Sequence, residues 1–226
     1  MIWIKQRAEK PVGLMPRRSG WIACFASVAM ILPAPAENEL LEQREAWSFG
    51  DESAWMWEDP GAETVLRLVK QSDFQPKVRS PFNLAWFDST KWKSFTLTAE
   101  VRLDLFNQGN NDVCIAFGKA SDTRFYYAHL GQKADAVHLQ VHLVDDADRT
   151  AITKTGAKTL PWKPEKWHQV KLHRDVESGE IRVWFDGVEI LTANDKTLGK
   201  GKIGLGSFDD LASFRNVKVT GAHASP

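Results

Sequence analysis

The sequence predicts an all-β chain folded as an antiparallel sandwich or barrel. Three observations predict it. Apolar and polar residues alternate with period two over at least six segments. Turn residues separate those segments at a spacing of about 8–12 residues. Only Asn38 to Trp47 carries a helical pattern, and it is short.

Taken in order, each strand has its own warrant. Phe95, Leu97, Ala99, Val101, Leu103 and Leu105 alternate with Thr96, Thr98, Glu100, Arg102 and Asp104. Val113, Ile115 and Phe117 alternate with Asp112, Cys114 and Ala116. The runs Phe125 to Leu130 and Val137 to Leu143 flank turn residues Gly131 to Ala136, as a hairpin would. Val170 and Leu172 alternate with Lys171 and His173; Ile181, Val183 and Phe185 alternate with Arg182 and Trp184. Asp186-Gly187 then suits a two-residue turn, which needs positive φ at both centres, and Val188-Glu189-Ile190 resumes beyond it. Gly201 to Ser207 and Phe214 to Val219 supply two more strands. The expected core holds Phe95, Leu97, Val101, Ile115, Leu139, Val170, Val183, Phe185 and Ile203.

Composition bounds the function. The chain has 226 residues, 43% hydrophobic, with 15 Gly and 10 Pro, which excludes disorder and collagen-like repeats. Its 29 Lys+Arg and 29 Asp+Glu are unevenly placed: residues 1–36 hold five bases and one acid, leaving the rest at a net −4. A weakly acidic body lacks the clustered cations that phosphate binding requires, so no nucleic-acid partner is expected. Arg17-Arg18, the apolar run Trp21 to Leu32 and Ala34-x-Ala36 have the order of a secretory signal. At 12 residues that run is shorter than the ~20 a membrane-spanning helix needs. The expected organisation is therefore a signal peptide over 1–36, one domain over 37–226, a periplasmic or extracellular location, and no stable membrane insertion. Cleavage would leave Cys114 alone, and a lone cysteine in a strand reads as a small buried hydrophobe.

The Tyr127 hairpin is the most informative stretch for function. With His129 opposite His138, alternation puts Phe125, Tyr127, His129, His138, Gln140 and His142 on one face, and Tyr126, Ala128, Leu130, Val137, Leu139, Val141 and Leu143 on the other. A surface plate of rings, imidazoles and an amide suits sugar recognition, rings covering C–H surfaces while polar groups bond hydroxyls. Tyr127, His129, Gln140 and His142 are the candidate binding residues, with Arg102 and Trp184 joining from other strands. Glu100 and His138 are the candidate catalytic residues, with a His or Glu100 as the acid/base. No metal site is expected there: His138 and His142 would lie roughly 13 Å apart along a strand at ~3.3 Å per residue. Asp145-Asp146-Ala147-Asp148 could hold structural calcium but reads more simply as an acidic turn. Otherwise no cofactor is implied, since phosphate-loop, zincin, nucleophile-elbow and EF-hand motifs are absent from the sequence.

From Trp167 onward the chain resembles a known superfamily. Trp167-His168-Gln169-Val170-Lys171-Leu172, Gly179-Glu180-Ile181-Arg182-Val183-Trp184-Phe185-Asp186-Gly187, Gly201 to Asp210 and Phe214 to Val219 are similar to the central strands of concanavalin A-like lectin/glucanase and laminin-G-like domains. They look most like bacterial secreted 3-keto-disaccharide hydrolase domains. The resemblance implies a jelly roll with a concave face for glycans, a carbohydrate ligand and glycoside hydrolase activity. It also places Arg79-Ser80-Pro81 near the sheet edge, which adds Arg79 to the binding set. The E-x-D-x-x-E strand of laminarinase-type glucanases is absent. The alternative function is a noncatalytic interaction module of the cell envelope, which calls for a flat apolar patch instead of a polar-aromatic groove.

Overall fold

One strand organises the fold. The computed structural model describes Met1, Trp3, residues 38–105 and residues 111–223; the expected signal segment lies outside the described residues. The chain divides into residues 1–34 and 35–226, and the second unit is the sandwich. Its strands are β1 (Asn38–Glu39), β2 (Trp47–Phe49), β3 (Trp55–Glu58), β4 (Val65–Leu68), β5 (Asn83–Leu103), β6 (Cys114–Ser121), β7 (Arg124–His129) and β8 (Gln140–Asp145). They continue with β9 (Thr150–Ala151), β10 (Thr153–Gly156), β11 (His168–Arg174), β12 (Glu180–Phe185), β13 (Val188–Asn194), β14 (Gly201–Ser207) and β15 (Ala212–His223).

The 21-residue β5 serves both sheets. Its first part pairs with β2 and β14, and β14 leads on to β6, β7, β8 and β9. Its second part pairs with β11 and β15; β11 leads on to β12, β13 and β10, while β15 carries β4 and β1. Every pairing is antiparallel. Ile203 pairs with Phe87 but Gly201 with Trp92, so β5 bulges between those contacts, which is how a strand turns a corner from one sheet to the other. The product is an antiparallel sandwich, as the alternation predicts, in the jelly-roll form that the resemblance implies.

The inner faces form the main core, and all nine residues expected there are buried in it. The Asp186-Gly187 turn has φ of 48° and 80°, both positive, and connects β12 to β13 as its sequence requires. The helical pattern at Asn38–Trp47 does not become an α-helix: it holds β1, a 3₁₀ turn over Arg44–Ala46 and the first residue of β2. So short a segment cannot sustain a helix without packing. Here packing favours a loop that buries both Leu40 and Leu41 while the Leu40 carbonyl accepts from the Trp47 indole N–H at 3.0 Å. Among the described residues, no helix is long and apolar enough to cross a membrane.

Candidate functional site

The hairpin of β7 and β8 forms, with its register displaced by two residues. His129 pairs with Gln140, Tyr127 with His142 and Phe125 with Val144. The cause is local. The Asp135 carboxylate accepts from the backbone N–H groups of Val137 and His138, both at 2.7 Å, and Leu139 adopts φ of 53°. Those contacts hold residues 137–139 out of the ladder, so β8 starts at Gln140. A two-residue displacement keeps side-chain parity, so Phe125, Tyr127, His129, Gln140 and His142 still share a face.

That face is not a surface plate. Phe125, Tyr127, His129 and His142 are each at most 2% exposed. They line a second, smaller apolar cluster with Leu84, Trp86, Cys114, Ala116 and Val144, on the side of the β5–β14–β6–β7–β8 sheet away from the main core. Val78 and Phe208 pack on it, and Phe82 meets Phe208 edge-on at 6.5 Å. The Arg149 guanidinium lies 4.2 Å over Phe208 and its Nη1 donates to Tyr127 Oη at 3.4 Å. Tyr127 stacks on His142 at 4.9 Å. Burial pushes the Tyr127 phenol well above its usual range and the His142 imidazole down to about 4. Cys114 is fully buried here and burial raises its thiol, in keeping with a small hydrophobe.

The other candidates separate. Glu100, Arg102 and Trp184 stand on the outer face of the opposite sheet, where Glu100 accepts from Arg215 Nε at 2.8 Å and Asn216 Nδ2 at 3.2 Å. Arg102 donates to Asp104 at 2.8 Å and lies 4.8 Å over the Trp167 ring. Trp184 carries the Lys171 ammonium at 3.9 Å. These side chains are committed to ion pairs and ring contacts on the face away from the hairpin, so they do not join it. Arg79 does lie near the hairpin face: its N–H donates to Asp148 at 2.8 Å, and its side chain is exposed beside Phe208 at a cavity of 410 Å³. In the acidic turn, Asp145 pairs with Arg124 at 2.6 Å and Asp146 accepts from Thr123 at 2.5 Å. An adjoining cavity of 270 Å³ shares Ser80 and Phe82 with the first and is walled by Phe74, Trp86 and Phe125. Together they form a cleft under the 74–82 segment.

A polar cluster stands beside the cleft, against Phe208. Asp112 is 1% exposed and Asp210 7%. Asp112 Oδ1 accepts from Phe208 N at 2.9 Å, and the Asp112 N–H donates to Asp210 Oδ2 at 2.6 Å. Burial, then the charge of Asp112, pushes the Asp210 carboxyl up to about 7. His129 packs against Phe208 at 5.3 Å and against His138 at 5.1 Å. His138 in turn donates through Nδ1 to Asp135 Oδ2 at 2.7 Å. Although burial works to raise it, the His138 and Val137 contacts bring the Asp135 carboxyl down to about 2. Asp209, Asp210, Phe208 and Trp86 escaped the sequence reading of the site. The available signal was Asp112 itself, which shares the parity of Cys114 and Ala116 and so had to face away from the core.

Residues 45–220 match the 3-keto-alpha-glucoside-1,2-lyase-like domain family. The chain belongs to that family. Among curated proteins, none matches it in sequence. Several solved structures share the fold. A putative glycosyl hydrolase from Parabacteroides distasonis has 14% identity and a TM-score of 0.59, covering 83% of this chain and 100% of that one. The carbohydrate-binding module CBM66 from Bacillus subtilis has 18% identity and a TM-score of 0.56, covering 77% and 95%. A Bacillus subtilis protein of unknown function with a galectin-like fold has 15% identity and a TM-score of 0.54, covering 84% and 96%.

Proposed function

We propose that this 3-keto-alpha-glucoside-1,2-lyase-like chain binds a glycoside in the cleft under residues 74–82 and cleaves it. The observation that carries the reading is the juxtaposition of aromatic walls (Phe74, Phe82, Trp86, Phe208) with a buried polar cluster at Asp112, His129 and Asp210. Rings cover the C–H faces of a sugar, while convergent polar groups fix its orientation. A groove of this composition favours a carbohydrate over the flat apolar patch of an interaction module.

In a 3-keto glucoside the carbonyl acidifies the C2 hydrogen. A base takes that proton, the C–H electron pair becomes the C1=C2 bond, and the C1–O bond breaks with its pair leaving on the aglycone oxygen, which is then protonated. Water added across the new double bond gives the hydrolysis product. We assign the base to His138, whose Nδ1 donates to Asp135 and whose ring packs at 5.1 Å on His129 beside the cleft.

The test uses a chromogenic 3-keto-alpha-glucoside, following aglycone release together with the absorbance of the unsaturated keto sugar. His138→Gln should lower kcat by about 10²–10⁴-fold with the fold intact. Phe74→Ala should raise KM, because Phe74 is 37% exposed and contributes to the wall more than to the core. A chain that neither binds nor cleaves such a glycoside, or a His138→Gln variant with wild-type kcat, overturns the reading.

A further inference from the structure

We propose that the glycoside taken by this cleft carries a carboxylate, and that Arg149 is the side chain that reads it. The inference rests on the cleft being a glycoside site and adds the charge of its ligand. Arg149 is half-buried, with its guanidinium 4.2 Å over the Phe208 ring. Among the described residues the guanidinium donates a single hydrogen bond, a long one from Nη1 to Tyr127 Oη at 3.4 Å. A guanidinium presents five N–H donors in a planar fork, so most of them stay unmet where burial limits water. Other arginines are better served. Among the described residues Arg67, Arg102, Arg182 and Arg215 each pair with a carboxylate, and buried Arg174 donates to the carbonyls of Gly179, Asp195 and Leu198. The acids that precede Arg149 in its own turn go elsewhere. Asp145 and Asp146 lie 2.6 and 3.8 Å from Arg124, and Asp148 Oδ1 accepts from the Arg79 N–H.

The neighbours of Arg149 reinforce its charge. Its backbone N–H donates to the Arg79 carbonyl at 3.1 Å, which ties the turn to the 74–82 segment. Lys77, Arg79 and Asp148 line the 410 Å³ cavity together with Phe208. With Arg149 behind Phe208, this end of the cleft sets three cations against one acid, in a body of net −4. Phe208 also touches the His129 ring, at 5.3 Å, and Asp112, His129 and Asp210 stand on that side. An anion is therefore welcome at the Arg149 end and repelled at the other, which fixes the direction in which a charged sugar lies. A guanidinium fork meets a carboxylate through two parallel bonds. One fork, with Asp148 in the same wall, suits a single negative charge better than the double charge of a phosphate.

The test reads binding, so that it stands apart from cleavage. The full chain is titrated by calorimetry with methyl alpha-glucoside, methyl alpha-glucuronide and 4-carboxyphenyl alpha-glucoside, which lack the 3-keto group and so escape the proposed reaction. The two acids place the carboxylate on the sugar or on the aglycone. One of them should bind about tenfold or more tighter than the neutral glycoside. Arg149→Met keeps bulk over Phe208 but removes the fork, and should lose that preference. Because this variant could fail to fold, Arg149→Lys gives the second measurement: it keeps the charge without the fork and should retain only part of the preference. Equal affinity for all three probes, no binding of any, or a full preference in either variant overturns the inference. Cleavage of the neutral chromogenic 3-keto-alpha-glucoside by the same preparation would show that the proposed function survives that failure.

Discussion

His142 shows how a buried imidazole ties the stability of the hairpin face to pH. Its Nε2 donates to the Val137 carbonyl at 2.8 Å, and burial depresses it from 6.5 to about 4. The unfolded chain therefore binds a proton that the folded chain refuses between those values. The stability His142 contributes is complete above pH 6.5 and is lost as the pH falls towards 4, roughly 3 kcal/mol over the window. Melting temperature measured from pH 7.5 to 4 should fall more steeply for the wild type than for His142→Gln. Parallel curves would show that another group sets the acid limit. Sequence reading identified His142 as part of this face but not its burial, because alternation tells which residues look the same way and not whether anything covers them. The cover comes from residues 74–82 and Phe208, loop segments with no periodic signal.

At the scale of elements, β14 is the strand least tolerant of added bulk. A Cβ on Gly206 would lie 1.8 Å from the Asn83 carbonyl oxygen, and one on Gly204 would lie 2.7 Å from Trp86 and 2.9 Å from the Ala85 carbonyl oxygen. The β14–β5 ladder thus requires glycine for close approach of backbones. Gly206→Ala should cost about 3 kcal/mol or more, because the obstructing atom is main chain and cannot swing aside. Gly199→Ala, which meets nothing within 4 Å, should leave the denaturant midpoint nearly unchanged. Equal midpoints for the two variants would refute the close-approach account. The strands themselves were legible because a half-buried strand must alternate. The register of the Tyr127 hairpin was not, since it depends on the Asp135 side chain capturing two N–H groups, a local bond that alternation does not encode.

For the whole molecule, the division of the proposed site follows from the sandwich itself. Glu100 and Arg102 have outward parity in β5, as expected, but their part of β5 belongs to the sheet of β11 and β15, whereas β7 and β8 belong to the other. Parity within a strand is a sequence property; membership of a sheet is a long-range one. The charge asymmetry of the chain also belongs to this scale. Five bases and one acid in residues 1–36, followed by a body of net −4, fit export of the body. We propose that export removes that segment. Sequencing the exported chain should find Glu37 first, and a chain that retains residues 1–36 would exclude cleavage there.

The shared strand β5 has a consequence for synthesis. It is made early, yet its flanks are completed by β14 and β15, from residues 201–223. Until those residues emerge, β5 exposes unpaired N–H and C=O groups along an edge facing each sheet, and neither sheet can close. A ribosome translating this chain must therefore finish nearly all of it before a native sandwich exists. In the interval, the nascent chain depends on whatever shields a naked strand edge from its neighbours.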